Sequence, residues 1–176
     1  MERIDIQPEE LVVRAHGLWD RQWLLLTAGD FAAGDFNTMT VSYGALGTMW
    51  HRPLALVVVR PTRFTHGFME RHASFTLCAF PEERREALKL LGTRSGRDGD
   101  KIAAAGLTPT PARSVAAPAF AEAELVIECA KMYWQDMEAA HFLRPDIEAE
   151  YPDRDYHRIY FGEILAAAGS PAYRAG

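Results

Sequence analysis

The sequence lacks the features that mark membrane proteins and nucleic-acid-binding proteins. No apolar run approaches the roughly 20 residues that a helix needs to cross a bilayer. Its 19 Lys and Arg are scattered, and 24 Asp and Glu bring the net charge to −5, whereas binding to phosphate backbones requires clustered cations. The opening MERIDIQPEELVV is too acidic for a signal peptide. We therefore expect a cytoplasmic protein that binds neither membranes nor nucleic acid.

Cysteine and the common catalytic motifs are equally scarce. The two cysteines, Cys78 and Cys129, lie in apolar segments without a CxxC pair, so we predict buried free thiols and no metal site. GxGxxG and Walker sequences are absent, as are a GxSxG elbow and the HExxH pattern of zinc proteases. The sequence therefore carries neither standard nucleotide-binding motif and no α/β-hydrolase signature.

Composition and patterning predict one mainly β domain. Of the 176 residues, 48% are apolar and 24% charged, which is typical of a globular chain that can bury one core. Short β-rich runs and two interspersed helices favour an antiparallel barrel or sandwich over a doubly wound sheet. Strands are predicted at 23–27, 37–42, 54–60, 74–80, 124–134 and 158–165, and helices at 65–71 and 82–91. A Gly-containing turn is predicted at 44–47, and Pro145 should end any helix that precedes it. The residues from 166 onward should form a frayed tail.

Groups suited to phosphate concentrate at two places. Arg63 and Thr65 follow the clearest strand, and Ser95, Arg97 and Lys101 lie in a Gly-rich loop. Guanidinium forks, hydroxyls and flexible backbone N–H groups suit a phosphate dianion, although a solvated charged loop would look the same. In the same loop we expect Asp100 to pair with Arg97 or Lys101.

The order of these motifs resembles the flavin reductase-like, FMN-binding split-barrel family, and in particular its flavoredoxin-type branch. The likeness runs over about residues 18–165, with Ser42-Tyr43-Gly44 where this branch often has S-W-G. The motifs that carry it are N-x-M-T-x-S from Asn37, G-x-x-W from Gly47, P-x5-V-R-P-x-R-x-T from Pro53, F-T-L from Phe75, S-G-R-x-x-D-K from Ser95 and D-Y-H-x-x-Y-x-G-E-I from Asp155.

This resemblance implies a six-stranded antiparallel Greek-key split barrel, built as a single domain over residues 1–176, that forms a homodimer with one FMN per subunit. By position, Asn37, Thr38, Met39, Thr40 and Ser42 would line the flavin ring and ribityl chain, and Arg63, Thr65, Ser95 and Lys101 would hold the phosphate, with Arg97 beside them. NADH or NADPH would pass hydride to flavin N5, which requires stacking and the exclusion of water but no catalytic side chain.

Several alternatives remain open from the sequence. The residues fit an NAD(P)H-dependent flavin reductase. They fit equally a non-enzymatic FMN carrier or flavin sensor that depends on partner proteins for electrons and a downstream acceptor. A barrel that binds another small ligand is a third interpretation. Trp50 fits a cover for the flavin or nicotinamide and equally an anchor at the dimer interface. His157 fits a position near the second subunit's flavin, or a turn histidine bonded to backbone.

Overall fold

The computed structural model describes residues 2–176, and its architecture is mainly β with short helices, as predicted. No helix among these residues is long and apolar enough to cross a bilayer. The strands are β1 (Ile4–Ile6), β2 (Leu24–Asp30), β3 (Asp35–Val41), β4 (Gly44–Met49), β5 (Arg52–Val59), β6 (Ser74–Ala79), β7 (Pro109–Thr110), β8 (Ala119–Phe120), β9 (Leu125–Asp136) and β10 (Arg158–Gly169).

The helices are short and lie in the connections between strands. A single turn of π-helix at Gly17–Gln22 precedes β2, and isolated 3-10 turns occur between other elements. The α-helices are α1 (Phe64–Arg71), α2 (Arg85–Thr93), α3 (Lys101–Ala104) and α4 (Pro145–Glu148).

Eight of the strands form one antiparallel sheet in the order β3-β2-β6-β9-β10-β5-β4, with β1 added to β10. The two ends of this path, β3 and β4, are joined by only Ser42 and Tyr43. Since consecutive Cα atoms are about 3.8 Å apart, the ends of the sheet must meet at that point. The sheet is therefore rolled into a barrel that hydrogen bonds do not close, and the opening lies between β3 and β4.

The run Leu24–Gly29 is buried throughout because β2 packs on both of its faces. Leu24, Leu26 and Ala28 belong to the core inside the barrel, whereas Leu25 belongs to a second core beneath α2. This alternation has the period of two that a strand imposes. Both cysteines are free and fully buried, and burial raises the pKa of each thiol, as expected of structural residues.

All six predicted strands exist, but the sheet contains more than six. The predicted turn at 44–47 is wrong, because Gly44–Met49 pairs in register with β5. Gly44 is needed there for close packing, since a Cβ at this position would lie 2.4 Å from the Trp19 ring. Pairing in a hairpin with β5 therefore overrides the turn preference of glycine.

Three other boundaries differ from the sequence prediction. The tail does not fray at Ala166, because β10 continues to Gly169 between β9 and β1, where small residues permit close packing. Helix α1 begins at Phe64, one residue before the predicted start, and its N-cap is Arg63 with no side-chain cap bond. Pro145 begins α4 instead of ending a helix, since proline suits the first helical turn.

Candidate functional site

A cavity of about 110 Å³ lies where β5 gives way to α1 and where α2 ends. Six of the residues predicted from the sequence line it, from three separate segments of the chain. They are Met39 of β3, Arg63 and Thr65 at the start of α1, and Ser95, Arg97 and Lys101 after α2, joined by Thr62, Phe64, Thr93 and Arg94, which the prediction missed.

Arg63 is held at the mouth of this cavity by a bond to helix α2. Its Nη2 donates to the carbonyl oxygen of Gly92 at 2.6 Å, which satisfies a carbonyl in the last turn of α2. Burial, and then the charge of nearby Arg60, lower the pKa of Arg63, but a guanidinium remains protonated in proteins. Its fixed fork can therefore offer its remaining N–H groups to an anion.

Lys101 is the most deeply buried cation of the group, with 5% of its surface exposed. Its Nζ donates to the carbonyl oxygens of Leu91 at 3.2 Å and Arg94 at 3.1 Å, so it ties the end of α2 to the following loop. Burial, and then the charge of Arg63, lower the pKa of Lys101 to about 8. Lys101 thus positions the loop and keeps an ammonium group in the cavity wall at neutral pH.

The loop between α2 and α3 is shaped by its own hydroxyl and carboxylate groups. Ser95 Oγ accepts the backbone N–H of Arg97 at 3.2 Å, and the Arg97 guanidinium lies 4.9 Å from the centre of the Phe64 ring. The expectation that Asp100 pairs with Arg97 or Lys101 is wrong. Its Oδ1 accepts the backbone N–H groups of Ile102 and Ala103 instead, because it is the N-cap of α3.

The predicted ring-lining residues of β3 divide between the two faces of the strand. Asn37 is buried and donates to Thr65 Oγ1 at 2.7 Å, which ties β3 to α1. Thr38 is completely buried and bonds to Thr27 Oγ1 and the carbonyl oxygen of Leu26. Thr40 Oγ1 donates to the carbonyl oxygen of Leu88 in α2. Only the main chain of these two threonines is therefore available to a ligand.

The outer edge of β3 offers that main chain. Among the described residues β3 pairs with β2 alone, so its other edge carries backbone N–H and C=O groups without ladder partners. Ser42, just beyond β3, lines a different cavity of about 450 Å³, together with Tyr43 and Trp19. The open edge thus runs from the cation-lined cavity to this second cavity at the joint between β3 and β4.

Trp50 lies apart from both cavities, in the turn between β4 and β5, with 55% of its surface exposed. Its ring centre is 6.1 Å from that of Tyr133 and 6.3 Å from that of Phe161, and the last two are 5.4 Å apart. We call Trp50, Tyr133 and Phe161 the aromatic face. Within one chain, Trp50 does not join the other predicted site residues.

A second group that the sequence did not reveal surrounds His157. The ring Nδ1 of His157 is 2.7 Å from the Tyr151 hydroxyl, so a side chain and not the backbone satisfies it. The Arg60 guanidinium lies 4.7 Å from the centre of the Tyr151 ring and pairs with Asp155 at 2.8 Å. Burial, and then the charge of Arg60, lower the pKa of His157 to about 4. The imidazole is therefore neutral at physiological pH.

Some of the site residues that the sequence analysis missed could have been identified from the sequence, and others could not. Arg94 and Thr62 stand directly beside predicted site residues, so the local run of cations and hydroxyls is itself a signal. Tyr151 lies in a segment whose pattern was ambiguous, and only the fold brings it to His157. Among residues 2–176, no group of three or more His, Cys, Asp and Glu side chains could hold a metal ion.

The fold is shared with solved structures of low sequence identity. An FMN-binding domain of a flavin reductases-like enzyme from Shewanella baltica OS155 superposes with a TM-score of 0.69 at 16% identity, covering 96% of this chain and 77% of that one. Flavoredoxin of Desulfovibrio vulgaris (Miyazaki F) superposes with a TM-score of 0.66 at 19% identity, covering 92% of this chain and 75% of that one. The NADH:FAD oxidoreductase of Streptomyces globisporus C-1027 superposes with a TM-score of 0.64 at 18% identity, covering 86% of this chain and 76% of that one.

Sequence comparison gives a consistent result at the level of the family. Among curated proteins, none matches the chain. The model of the flavin reductase like domain, however, matches residues 20–172, which is most of the chain and includes the cation-lined cavity and β3. The chain therefore belongs to the flavin reductase-like family, whose solved relatives have the split-barrel fold described above.

Proposed function

We propose that this protein is an NAD(P)H-dependent flavin oxidoreductase that holds the phosphate of FMN in the cation-lined cavity. The observation that supports this most strongly is the set of donors. Cations and hydroxyls from two chain segments, 62–65 and 93–101, converge there, and no carboxylate is among the lining residues. A phosphate monoester carries about −1.5 to −2 charges at neutral pH and offers three acceptor oxygens, which fits these donors.

The flavin ring would lie along the open edge of β3, toward Ser42. A flat heteroaromatic ring with several donors and acceptors suits an unpaired strand edge flanked by small side chains. Bound flavin supplies the hydride chemistry at its N5. The residues of this chain bind the phosphate, orient the ring and, with Tyr43 and Trp19 at the second cavity, limit the access of water.

A second candidate is an FMN-containing electron carrier that receives electrons from a partner protein. The similarity of fold to flavoredoxin favours this possibility, because carrier and reductase need the same flavin cradle. The two differ in whether a nicotinamide can reduce the bound flavin directly.

We further propose that the protein is a homodimer that buries the aromatic face. Trp50 and Tyr133 are large side chains with 55% and 47% of their surface exposed, and they contact each other on one face of the sheet. Aromatic residues are enriched at the centres of protein interfaces. If the flavin of the partner subunit lies at this face, Trp50 both anchors the dimer interface and covers a flavin.

An absorbance experiment tests the proposed activity. Purified protein is mixed with FMN, desalted and treated anaerobically with NADH or NADPH, and then with dithionite. We expect flavin bands that survive desalting and bleach with one of the nicotinamides. Bleaching with dithionite alone would favour the electron carrier, and the absence of any retained or titratable flavin would contradict both candidates.

A further inference from the structure

A further cleft lies between the two ends of the chain, and we call it the terminal cleft. It has a volume of about 680 Å³ and is lined by the segment before β2, the connection after β6, Glu124 just before β9 and the C-terminal turn at 171–173. Among the described residues, none lines both this cleft and the cation-lined cavity. Small-molecule sites have volumes of about 300–1,000 Å³, so the terminal cleft can hold a ligand of its own.

The π-helical turn at Gly17–Gln22 contributes to this cleft and to the second cavity through different residues. Trp19 lines the second cavity, whereas Gln22 lines the terminal cleft. The turn ends at Trp23, whose φ of 64° lies in the left-handed region, and the Arg85 guanidinium lies 3.3 Å from the centre of its ring. Single π-helical turns and backbone strain of this kind concentrate at functional sites.

A carboxylate with one uncommitted oxygen faces the terminal cleft. Glu124 Oε1 accepts the Tyr173 hydroxyl at 2.6 Å and Gln22 Nε2 at 2.5 Å. Burial, and then the bond to Glu124, raise the pKa of Tyr173, so its hydroxyl remains a donor. Among the hydrogen bonds of residues 2–176, Glu124 Oε2 takes part in none. Because Glu124 is half-buried, an ammonium group that binds this oxygen would form a strong, charge-assisted bond.

Two arginines give the same cleft a positive side. Arg14 and Arg21 line it and are exposed, and neither forms an ion pair with any of residues 2–176. A guanidinium suits a carboxylate, which it can bind through two parallel hydrogen bonds. The lining carboxylates, Glu82 and Glu124, balance the two cations. A balanced site with separate charges of both signs matches a ligand that is itself a zwitterion.

Apolar side chains complete the walls. Val13, Leu18, Phe80 and Pro81 line the cleft, and Val12 lines it with 49% of its surface exposed. Burying apolar surface of a ligand and of Val12 against these walls is favourable. The cleft therefore suits a molecule that combines both charges with an apolar group.

We propose that the terminal cleft binds a free α-amino acid with an apolar side chain. The ammonium group of the amino acid donates to Glu124 Oε2, its carboxylate accepts from Arg14 and Arg21, and its side chain packs on Val12 and Phe80. A simple amine would leave the arginines without an anion. A simple acid would leave the Glu124 carboxylate without a cation.

Calorimetric titration of the full chain with three related compounds tests this inference. L-Phenylalanine carries both charges, 2-phenylethylamine lacks the carboxylate and 3-phenylpropionate lacks the ammonium group. Because each missing group removes a charge-assisted hydrogen bond, we expect the last two compounds to bind at least about tenfold more weakly than L-phenylalanine.

Variants assign each charge and the location of the site. In Glu124→Gln, L-phenylalanine should lose its advantage over 3-phenylpropionate, and in the double variant Arg14→Met and Arg21→Met it should lose its advantage over 2-phenylethylamine. Ala172 lines the cleft, whereas Ala175, which is equally exposed, does not. Ala172→Trp should therefore abolish binding, and Ala175→Trp should preserve it.

Several results would overturn the inference. They are the absence of binding to wild type at about 10 mM L-phenylalanine, equal affinities for the three compounds, and unchanged binding in a folded Ala172→Trp. Displacement of bound L-phenylalanine by FMN would also overturn it, since the amino acid would then occupy the flavin site. The comparison of the three compounds uses wild type without flavin, so its outcome depends neither on the folding of a variant nor on the proposed function.

Discussion

The cation-lined cavity and the aromatic face are built in opposite ways. In the cavity, Arg63 is half-buried and Lys101 is buried, and both are bonded to carbonyl groups of the same chain. On the aromatic face, Trp50 is 55% exposed and lies beside the rings of Tyr133 and Phe161. The cations of the cavity are thus fixed by bonds within the chain, whereas the aromatic face presents large apolar side chains to solvent. Variants in each region should therefore affect different measurements.

The largest expected effect is on the cavity, in Arg63→Ala. Loss of a charge-assisted hydrogen bond to phosphate costs about 1.5–3 kcal/mol, so FMN affinity should fall by roughly 10- to 100-fold. Calorimetric titration measures it, with Arg71→Ala at the opposite end of α1 as control. Unchanged FMN affinity in Arg63→Ala would remove this residue from the site.

On the aromatic face, Trp50→Ser should shift the protein from dimer to monomer. A central tryptophan at an interface contributes about 2 kcal/mol, so the dimer dissociation constant should rise roughly thirtyfold. Light scattering across a dilution series gives this value. Trp134→Ser is the matched control, because Trp134 is 51% exposed but packs under Arg158 on the other face of β9. If both variants behave alike, the aromatic face is not the interface.

Glycine substitutions sharpen the contrast at a smaller scale. Gly96→Ala places a Cβ 2.3 Å from Asn37 Oδ1, whereas a Cβ at Gly47 in β4 meets nothing within 4 Å. Overpacking costs about 1–3 kcal/mol, so Gly96→Ala should displace the loop and lower FMN affinity about tenfold. Gly47→Ala should leave flavin affinity and melting temperature near those of wild type. Equal FMN affinities of the two variants would mean that the loop accommodates the added Cβ without affecting the site.

The smallest expected effect is a pH dependence that belongs to the cavity alone. The pKa of Lys101 is lowered to about 8, so its ammonium is present below that pH and is lost above it. An anion favours the ammonium form, and FMN affinity should therefore fall about twofold between pH 7 and 8 and reach a total loss of several-fold, at most about tenfold, by pH 9. Lys101→Met should bind more weakly without this step. A step of the same size in Lys101→Met would assign the titration to another group.

The sequence predicts this molecule best where chemistry is local. Arg63 and Thr65 follow a strand, and Ser95, Arg97 and Lys101 share one loop, so their residue types alone indicate an anion site, and the cavity contains all five. The side chains of β3 were harder to place. Which face each one takes depends on its register with β2 and on the packing of α2, and these contacts engage Thr38 and Thr40 elsewhere.

Pairing with other strands accounts for the other errors. Gly44–Met49 has the composition of a turn, and Ala166–Gly169 that of a loose tail. Both become strands because β5 in one case, and β1 and β9 in the other, lie beside them in the folded chain. Neither partner can be identified from local propensity, which is a weaker guide for strands than for helices.

The position of β10 has a consequence for the order of folding. The hairpins β2–β3, β4–β5 and β9–β10 join neighbouring segments, but β10 also pairs with β5 along Arg158–Glu163 and with β1 along Ala167–Gly169. Such distant pairings form slowly because long loops must close first. On the ribosome, β4, β5 and β1 can find their places in the sheet only after the last strand has been synthesised. Until then the nascent chain exposes the edge of β5. The time needed to synthesise the residues up to β10 therefore sets how long that edge stays available to other chains.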